Sequence, residues 1–230
     1  MGALWLIATL MSIILSLSPI PTMQEIFKNK STLSFSVLPY AATAAQSSMW
    51  LVYSSFSQES GQGLVLVNAW GVAIQLVYCV IFAIYATDRF DILKTLIGSL
   101  AIVILLWAFS AVSSRPDIVS QYSAMILNIC MFASPLAVVK RVIETRSVAF
   151  MPLPLSVASL GCALAWFIYG FSINLPGVIV PNGLGVLLGL AQILIFAKYY
   201  TKDSSTPTVV NDGSDNTLIG NDDKRQVVAI

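Results

Sequence analysis

Apolar positions in this chain are gathered into long blocks, and short polar segments separate the blocks. Each block is near the ~20 residues that a helix needs to cross the hydrocarbon of a bilayer. Apart from Lys94 near the start of the fourth, none of the blocks contains Asp, Glu, Lys or Arg. The seven blocks lie at roughly residues 3–20, 35–56, 64–86, 92–113, 122–139, 149–172 and 177–197. The pattern predicts an all-α membrane protein with seven transmembrane helices.

Composition agrees with this class and excludes several functions. Hydrophobic residues make up 57% of the 230 positions and charged residues only 10%, against about 25% charged in soluble domains. The net charge of +1 gives no basic surface for nucleic acid. The chain has no histidine, which excludes His-based catalysis and His-ligated metals. With no nucleophile–base pair visible, we predict that the protein is not an enzyme and needs no cofactor or metal.

The basic residues predict the orientation in the membrane. With the N-terminus extracellular or lumenal and the C-terminus cytosolic, eleven of the twelve face the cytosol and only Arg115 lies outside. The eleven are Lys28, Lys30, Arg89, Lys94, Lys140, Arg141, Arg146, Lys198, Lys202, Lys224 and Arg225. We expect the plasma membrane rather than an endomembrane.

Two processing signals bear on this topology. Ser16-Leu17-Ser18 is similar to a signal-peptide cleavage site, but no basic segment precedes it and Pro19 would follow the cut, so we predict a retained first helix. Asn29-Lys30-Ser31 fits the glycosylation sequon but falls on the cytosolic side.

Cys79, Cys130 and Cys162 are expected to be buried thiols. The tail from about Thr201 is polar and is expected to be disordered.

The chain also matches itself at an offset of 114 to 116 residues. The pairs are Ser18-Pro19-Ile20 with Ser134-Pro135-Leu136, Lys30-Ser31 with Arg146-Ser147, Phe35 with Phe150, Trp50 with Trp166, Tyr53 with Tyr169, Asn68 with Asn182, and Gly71 with Gly185. Matches that keep their order indicate a duplication. They predict a first triple-helix repeat at 1–86, a linker helix at 87–117, a second repeat at 118–200 and a tail at 201–230. Three helices plus one linker leave both copies parallel, related by an axis along the membrane normal.

Four repeated residues are expected to lie at one depth. Trp50 lies six residues before the outer end of its block and Asn68 a few residues into the next, so both are ~6–9 Å below the outer surface. The same holds for Trp166 and Asn182. Amides donate to and accept from hydroxyls, and indole faces cover the C–H faces of a pyranose, so the set predicts a site for a neutral polyol. The alternatives are asparagines that join helices and tryptophans of an interfacial belt.

Symmetric residues on either side of this level are candidates for gates. Pro19, Pro135, Pro39 and Pro152 lie toward the inner side, where they could bend the helices around a mouth. Ordinary helix-end prolines are the alternative. Tyr53 and Tyr169, one turn outside the tryptophans, are candidates for an outer gate.

Several of these segments resemble the SWEET family of sugar transporters. The resemblance is carried by Ser134-Pro135-Leu136, Lys140-Arg141-Val142-Ile143, Arg146-Ser147-Val148, Phe150-Met151-Pro152, Trp166-Phe167-Ile168-Tyr169-Gly170, Pro181-Asn182-Gly183-Leu184-Gly185, Leu188-Gly189 and Gln192, with weaker counterparts in the first copy. It covers roughly residues 3–200. The family is known for parallel three-helix repeats. The resemblance implies bidirectional, energy-independent transport of sugars, and association with copies of itself or with related chains.

The resemblance also implies roles for single residues. Asn68 and Asn182 would bind the sugar, and Trp50 and Trp166 would stack on either side of it. The four prolines with Gln192 would form the inner gate, and Tyr53 the outer one. Leu15 and Met131 occupy positions where bulky residues accompany monosaccharide transport, which favours a hexose such as glucose over sucrose.

The chain departs from the family pattern near the outer gate. The acidic residue that often pairs with the gate tyrosine falls at Leu175, next to Asn174. Asn68 is followed by Ala69-Trp70, and Tyr53 by Ser54, where glycine is usual. The missing acidic residue implies an outer closure made by another contact.

The blocks carry no formally charged side chain beyond Lys94, which lies at the inner end of its block, and this argues against proton coupling. We therefore predict a uniporter for neutral sugars that works by alternating access. A seven-helix receptor and a carrier of another small solute, such as an amino acid, are the alternatives.

Overall fold

The computed structural model describes residues 2–57, 61–86, 88–149 and 151–203, and every regular element in these ranges is a helix. The helices are α1 (Gly2–Ser16), α2 (Ile20–Asn29), α3 (Leu38–Phe56), α4 (Gln62–Ile84), α5 (Arg89–Val112), α6 (Pro116–Cys130), α7 (Ala133–Thr145), α8 (Leu153–Ser172) and α9 (Pro176–Asp203). Helix α9 includes residues 201–203, so the predicted disorder from Thr201 was wrong for these three residues. The rest of the predicted tail, and the match at Phe150, lie outside the described residues. The fold is an all-α membrane architecture of seven helical segments arranged 3+1+3, as predicted.

The first and fifth segments are each broken near a proline and then continue as helix. In the first, Ser18 N–H donates to the Leu15 carbonyl and Ile20 N–H to the Leu17 carbonyl, so the chain tightens where Pro19 has no N–H to give. The second break separates α6 from α7 just before Pro135. The predicted ends at residues 20 and 139 were therefore wrong, because α2 and α7 extend the helices by several residues past them.

Six segments are long and apolar enough to cross a membrane: Leu4–Asn29, Gln62–Ile84, Arg89–Val112, Pro116–Thr145, Leu153–Ser172 and Pro176–Tyr200. The seventh, α3, has 19 residues and a more polar composition. Its neighbours are α4, α5 and α6, so lipid meets less of it than of a peripheral helix. A central position therefore explains why α3 can carry polar side chains.

Contacts between helices follow a pseudo-twofold axis. Within the first repeat α4 packs against both α1 and α3, and within the second α9 packs against both α6 and α8. Across the repeats, α1 packs on α8 and α3 packs on α6. The two cross-repeat interfaces are thus equivalent. The linker α5 lies against α3, α4 and α6.

Local backbone geometry repeats as well. Lys30 ends α2 and Arg146 ends α7, and both adopt the left-handed region with φ of 51° and 54°. These residues are matched in the sequence at the offset of 116. Two equivalent helices therefore stop in the same way. The linker begins differently, because the Asp88 carboxylate caps α5 by accepting from the N–H groups of Phe90 and Asp91.

A buried cluster joins the two repeats on the side that the charge distribution assigns to the exterior, called here the outer side. Its members are Ala8, Met49, Trp50, Tyr53, Leu64, Ala124, Trp166, Tyr169, Leu175 and Val178. A second cluster, which includes Met23, Ile26 and Phe82, lies toward the opposite or inner side of the first repeat. The outer side is therefore where the repeats share a core.

Candidate functional site

The two asparagines are held in the same way on equivalent helices. Asn68 of α4 donates from Nδ2 to the Leu64 carbonyl, and Asn182 of α9 donates to the Val178 carbonyl, both at 2.8 Å. Each bond stays within its own helix, so neither amide acts here as a bridge between helices. The carbonyl oxygen and the second N–H of each amide remain available to a ligand.

The two tryptophans are buried in the centre of the molecule. Trp50 is 3% exposed and Trp166 is 7% exposed, so the interfacial-belt alternative was wrong. Trp166 donates from Nε1 to Ser12 Oγ at 2.8 Å, which ties α8 of the second repeat to α1 of the first. The indole of Trp166 is therefore fixed across one of the two cross-repeat interfaces.

Asn68, Asn182, Trp50 and Trp166 all line one cavity of about 260 Å³. Among the described residues in its wall, none carries a formal charge. The polar residues added by the structure are Ser12, Ser16, Thr43, Gln46, Ser47, Gln75, Asn128 and Cys162, with Trp70 as a third indole. The structure thus brings the four predicted residues together in an uncharged cavity with many hydrogen-bonding groups.

Some of these additional wall residues had a signal in the sequence. Gln46 and Cys162 lie four residues, about one helical turn, before the two tryptophans. Ser12 and Asn128 are matched at the same offset of 116 that relates Trp50 to Trp166. Their identities differ between the repeats, which hid them from a search for identical residues.

Two tyrosines lie about one helical turn outward of the tryptophans. Tyr53 and Tyr169 are 2% and 4% exposed. Each packs edge-on against the tryptophan of its own helix, with ring centroids 5.7 Å apart for Trp50–Tyr53 and 5.5 Å for Trp166–Tyr169. All four residues belong to one buried cluster, and the two pairs are here called the aromatic layer.

The buried cluster that includes the aromatic layer also includes Leu175, at the position where the family resemblance led us to expect an acidic residue. Leu175 is 6% exposed and belongs to the same buried cluster as both tyrosines. The Tyr169 hydroxyl approaches the backbone of Gly61 so closely that a Cβ on Gly61 would lie 2.6 Å from it. Tyr169 and the start of α4 are therefore in close contact on the outer side.

The inner-side prolines occupy two kinds of position. Pro19 and Pro135 are half-buried near the helix breaks, whereas Pro39 and Pro152 are exposed at the starts of α3 and α8. The last two thus stand at helix N-termini, where proline fits without losing a hydrogen bond. Gln192 is buried on α9 and is not part of the cavity wall.

The two residues expected to select substrate size lie outside the cavity wall. Leu15 and Met131 are half-buried, and neither belongs to the cavity wall. Their neighbours Ser12 and Asn128 line it instead. A direct contact between these two side chains and a substrate is therefore not seen in this conformation.

The cysteines differ more than the sequence predicts. Cys79 is buried and Cys162 half-buried, but Cys130 is exposed at the end of α6, so the expectation of three buried thiols was wrong for Cys130. A helix that faces lipid can expose an apolar side chain such as a thiol. All three are free thiols, and Cys162 lies 3.3 Å from Ser12 Oγ in the cavity wall.

Comparison with known proteins relates this geometry to a family. A family model described as a sugar efflux transporter for intercellular exchange matches residues 3–89 and 119–204. The bidirectional sugar transporter SWEET1a of Sorghum bicolor is 34% identical over 195 residues, which are 82% of this chain and 72% of that protein. SWEET14 of Arabidopsis thaliana is 33% identical over 90% of this chain and 75% of its own length.

A solved structure agrees with the sequence comparisons. The 3.7 Å structure of a eukaryotic SWEET transporter superposes with a TM-score of 0.81 and 30% identity, covering 87% of this chain and 96% of that one. The uncharged cavity between two three-helix repeats is thus found in a chain that matches the family in both sequence and fold. The chain belongs to the SWEET family of sugar transporters, which are facilitators and not enzymes.

Proposed function

We propose that this chain is a uniporter for neutral sugars, prefers hexoses such as glucose to sucrose, and binds them between Asn68, Asn182, Trp50 and Trp166. The observation that carries the proposal is the cavity lined by all four residues, with no formal charge in its described wall. The names of the relatives, which are bidirectional sugar transporters, support the substrate class.

The chemistry of the wall suits a neutral sugar. The amides of Asn68 and Asn182 line the cavity as a pseudo-twofold pair, and each offers a donor and an acceptor to sugar hydroxyls. The indoles of Trp50 and Trp166 present apolar faces to the C–H groups of the ring. An amino acid or organic acid would need a counter-charge to offset the loss of hydration, and the described wall contains none.

A difference between the outer and inner sides of the molecule supports alternating access. The aromatic layer buries the outer end, whereas Pro39 and Pro152 on the inner side are exposed. We infer an inward-open state that converts to an outward-open one when the repeats rock at the α1–α8 and α3–α6 interfaces. In this mechanism Tyr53 and Tyr169 form the outer gate, and Pro19, Pro39, Pro135, Pro152 and Gln192 form the inner one.

Size favours a single sugar ring. A volume of about 260 Å³ is just below the usual range for small-molecule pockets, about 300–1,000 Å³. Leu15 and Met131 each follow a wall residue, Ser12 and Asn128, by three positions, so their bulk would limit expansion of the cavity. We therefore propose that a second ring, as in sucrose, is disfavoured.

Counterflow in liposomes tests this function. Purified protein is reconstituted without any ion gradient, and uptake of labelled glucose, fructose or sucrose is driven by unlabelled sugar inside. We expect both hexoses to be exchanged faster than sucrose, and a protonophore to leave the rate unchanged. Exchange of none of these sugars would contradict the function, and a rate that collapses with the protonophore would contradict uniport.

The proposed topology places the N-terminus outside and the C-terminus in the cytosol, with the protein in the plasma membrane as a homo- or hetero-oligomer. The clustering of basic residues at one side supports the orientation. In this topology Asn29 stays unglycosylated, because the transferase acts on the opposite side. A glycan at Asn29 would contradict the orientation.

A further inference from the structure

The inner part of the cavity takes its polar groups from the first repeat. Thr43 and Ser47 of α3 and Gln75 of α4 belong to the wall. The offsets of 116 and 114 relate these positions to those of the second repeat, which are Ser159, Ala163 and Gly189. None of the three counterparts belongs to the cavity wall. The pseudo-twofold symmetry that holds at the level of the asparagines is therefore lost on the inner side.

The three counterparts differ from the wall residues in two ways. Ala163 and Gly189 have no hydrogen-bonding side chain, so the polar group itself is missing there. Ser159 keeps a hydroxyl, but it is exposed and lies outside the wall. The second repeat therefore offers the cavity no polar side chain at these three positions.

The helices that carry these positions are nevertheless packed alike. A Cβ on Gly71 would meet Ser47 Oγ at 2.7 Å, and a Cβ on Gly185 would meet Ala163 Cβ at 3.3 Å. Gly71 and Gly185 are themselves a repeated pair, so α3 meets α4 as α8 meets α9. The difference between the two walls at Ser47 and Ala163 lies in the side chains and not in the arrangement of the helices.

Gln75 is the most informative of these residues. It is 7% exposed, and its Oε1 is buried without a hydrogen-bond partner. A buried acceptor that lacks a donor is costly and calls for an explanation. Gln75 lies seven residues after Asn68, which is two helical turns and ~10 Å farther inward on the same face of α4.

The position equivalent to Gln75 has a packing role in the second repeat. A Cβ on Gly189 would lie 3.0 Å from the Leu160 Cβ, so glycine here permits α9 to approach α8. The second repeat thus uses the position for close helix contact, and the first repeat uses it for an amide. A sugar leaving the central level toward the inner side meets an amide on the first repeat and none at the equivalent place on the second.

We propose that Thr43, Ser47 and Gln75 form an inner subsite, a second binding station for the sugar between the central level and the inner mouth. A small rotation of the Gln75 amide gives its unpartnered oxygen a sugar hydroxyl as donor, and the two hydroxyls of α3 supply further contacts. The subsite rests on the proposed sugar transport. It makes binding from the inner side different from binding from the outer side.

Transport kinetics measured from each side test the inner subsite. Right-side-out and inside-out membrane vesicles give separate KM values for glucose presented outside and inside. For Gln75→Leu we expect the inner KM to rise about threefold to tenfold, the value of one or two lost hydrogen bonds, with a smaller change outside. Because a uniporter cannot accumulate sugar, Vmax/KM must stay equal in the two directions, which checks each pair of measurements.

Control variants separate this proposal from the proposed function. Gln24→Leu makes the same substitution on the exposed face of α2 and is expected to leave both KM values unchanged. Asn182→Ala is expected to raise both KM values. Suppose that Asn182→Ala raises both KM values but Gln75→Leu leaves the ratio of inner to outer KM unchanged. The proposal of an inner subsite is then contradicted, and the proposed central site is supported.

Two further variants cover the case in which Gln75→Leu does not fold. Ser47→Ala introduces the residue that the second repeat has at the equivalent position, and Thr43→Val keeps the shape of the side chain. Each is expected to raise the inner KM more than the outer one. An unchanged ratio in both variants would overturn the inner subsite.

Discussion

The outer and inner halves of the cavity follow different rules. In the outer half two features occur in both repeats: an asparagine bonded to its own helix at 2.8 Å, and a tryptophan packed edge-on with a tyrosine. In the inner half the first repeat contributes Gln75, whereas the second has Gly189 at the equivalent position. A duplicated chain has thus kept its symmetry where the two repeats meet and lost it where they separate.

The difference has a physical reason. The aromatic layer lies within the buried cluster that joins the two repeats, so a change in one repeat alters the fit of the other. Toward the inner side the repeats no longer share a buried cluster among the described residues, and each wall can vary without loss of packing. Equivalent residues of the two repeats should therefore contribute equally to transport in the outer half. Substitutions at the asparagines and in the aromatic layer can test this.

The largest effect is expected at the asparagines. Asn68→Ala and Asn182→Ala should each lower glucose counterflow about tenfold or more, because each removes an amide worth one to two hydrogen bonds to the sugar. The two losses should be similar, since the two amides have equivalent geometry. Counterflow in liposomes that contain equal amounts of protein measures the loss of transport in each variant.

A matched control for these variants exists outside the cavity. Asn29 also donates from Nδ2 to the carbonyl one turn earlier, that of Glu25, but it is exposed on α2. Asn29→Ala should therefore transport normally. A near-normal rate for Asn68→Ala beside an inactive Asn182→Ala would show that the outer half is not functionally symmetric.

A smaller effect is expected from crowding the aromatic layer. In Gly61→Ala the new Cβ would lie 2.6 Å from the Tyr169 hydroxyl, and overpacking of this kind costs about 1–3 kcal/mol. The outward-closed state should be destabilised by this amount, and counterflow should fall by about fivefold or more, because return to that state is disfavoured.

Removing the hydroxyl should relieve this crowding. The double variant Gly61→Ala with Tyr169→Phe is expected to recover most of the rate, because the clashing atom is gone. Tyr53→Phe is the matched control: it removes the equivalent hydroxyl of the other repeat, which accepts a hydrogen bond from Ser57, and should not rescue. Equal rescue by both would show that the contact at Gly61 is not the cause.

Much of the outer half can be predicted from the sequence. The fold class and the grouping of Asn68, Asn182, Trp50 and Trp166 follow from apolar block lengths, from the offset and from ~1.5 Å of rise per residue. These features depend on local helix geometry and on a repeat that can be read directly. Where a helix ends is less predictable. A proline can end a helix, or it can interrupt a helix that then continues, as Pro19 does between α1 and α2.

The inner half could not be predicted in this way. Gln75 has no polar counterpart at the repeat offset, so a comparison of the two copies passes over it. The direction of a side chain on a helix also depends on which neighbours surround it. Leu15 and Met131 were expected to reach into the cavity, but they are half-buried and absent from its wall, and Cys130 is exposed at the end of α6.

The most direct test of the central site uses the cavity's own thiol. Cys162 lies in the wall beside Ser12, and Cys130 is exposed away from it, so a Cys130→Ser variant leaves Cys162 as the thiol that a reagent entering the cavity reaches. The rate of its alkylation is measured with and without glucose. We predict that glucose slows the reaction in a saturable manner, and that Asn182→Ala abolishes this protection. Alkylation of Cys162 at the same rate with and without saturating glucose would contradict the account.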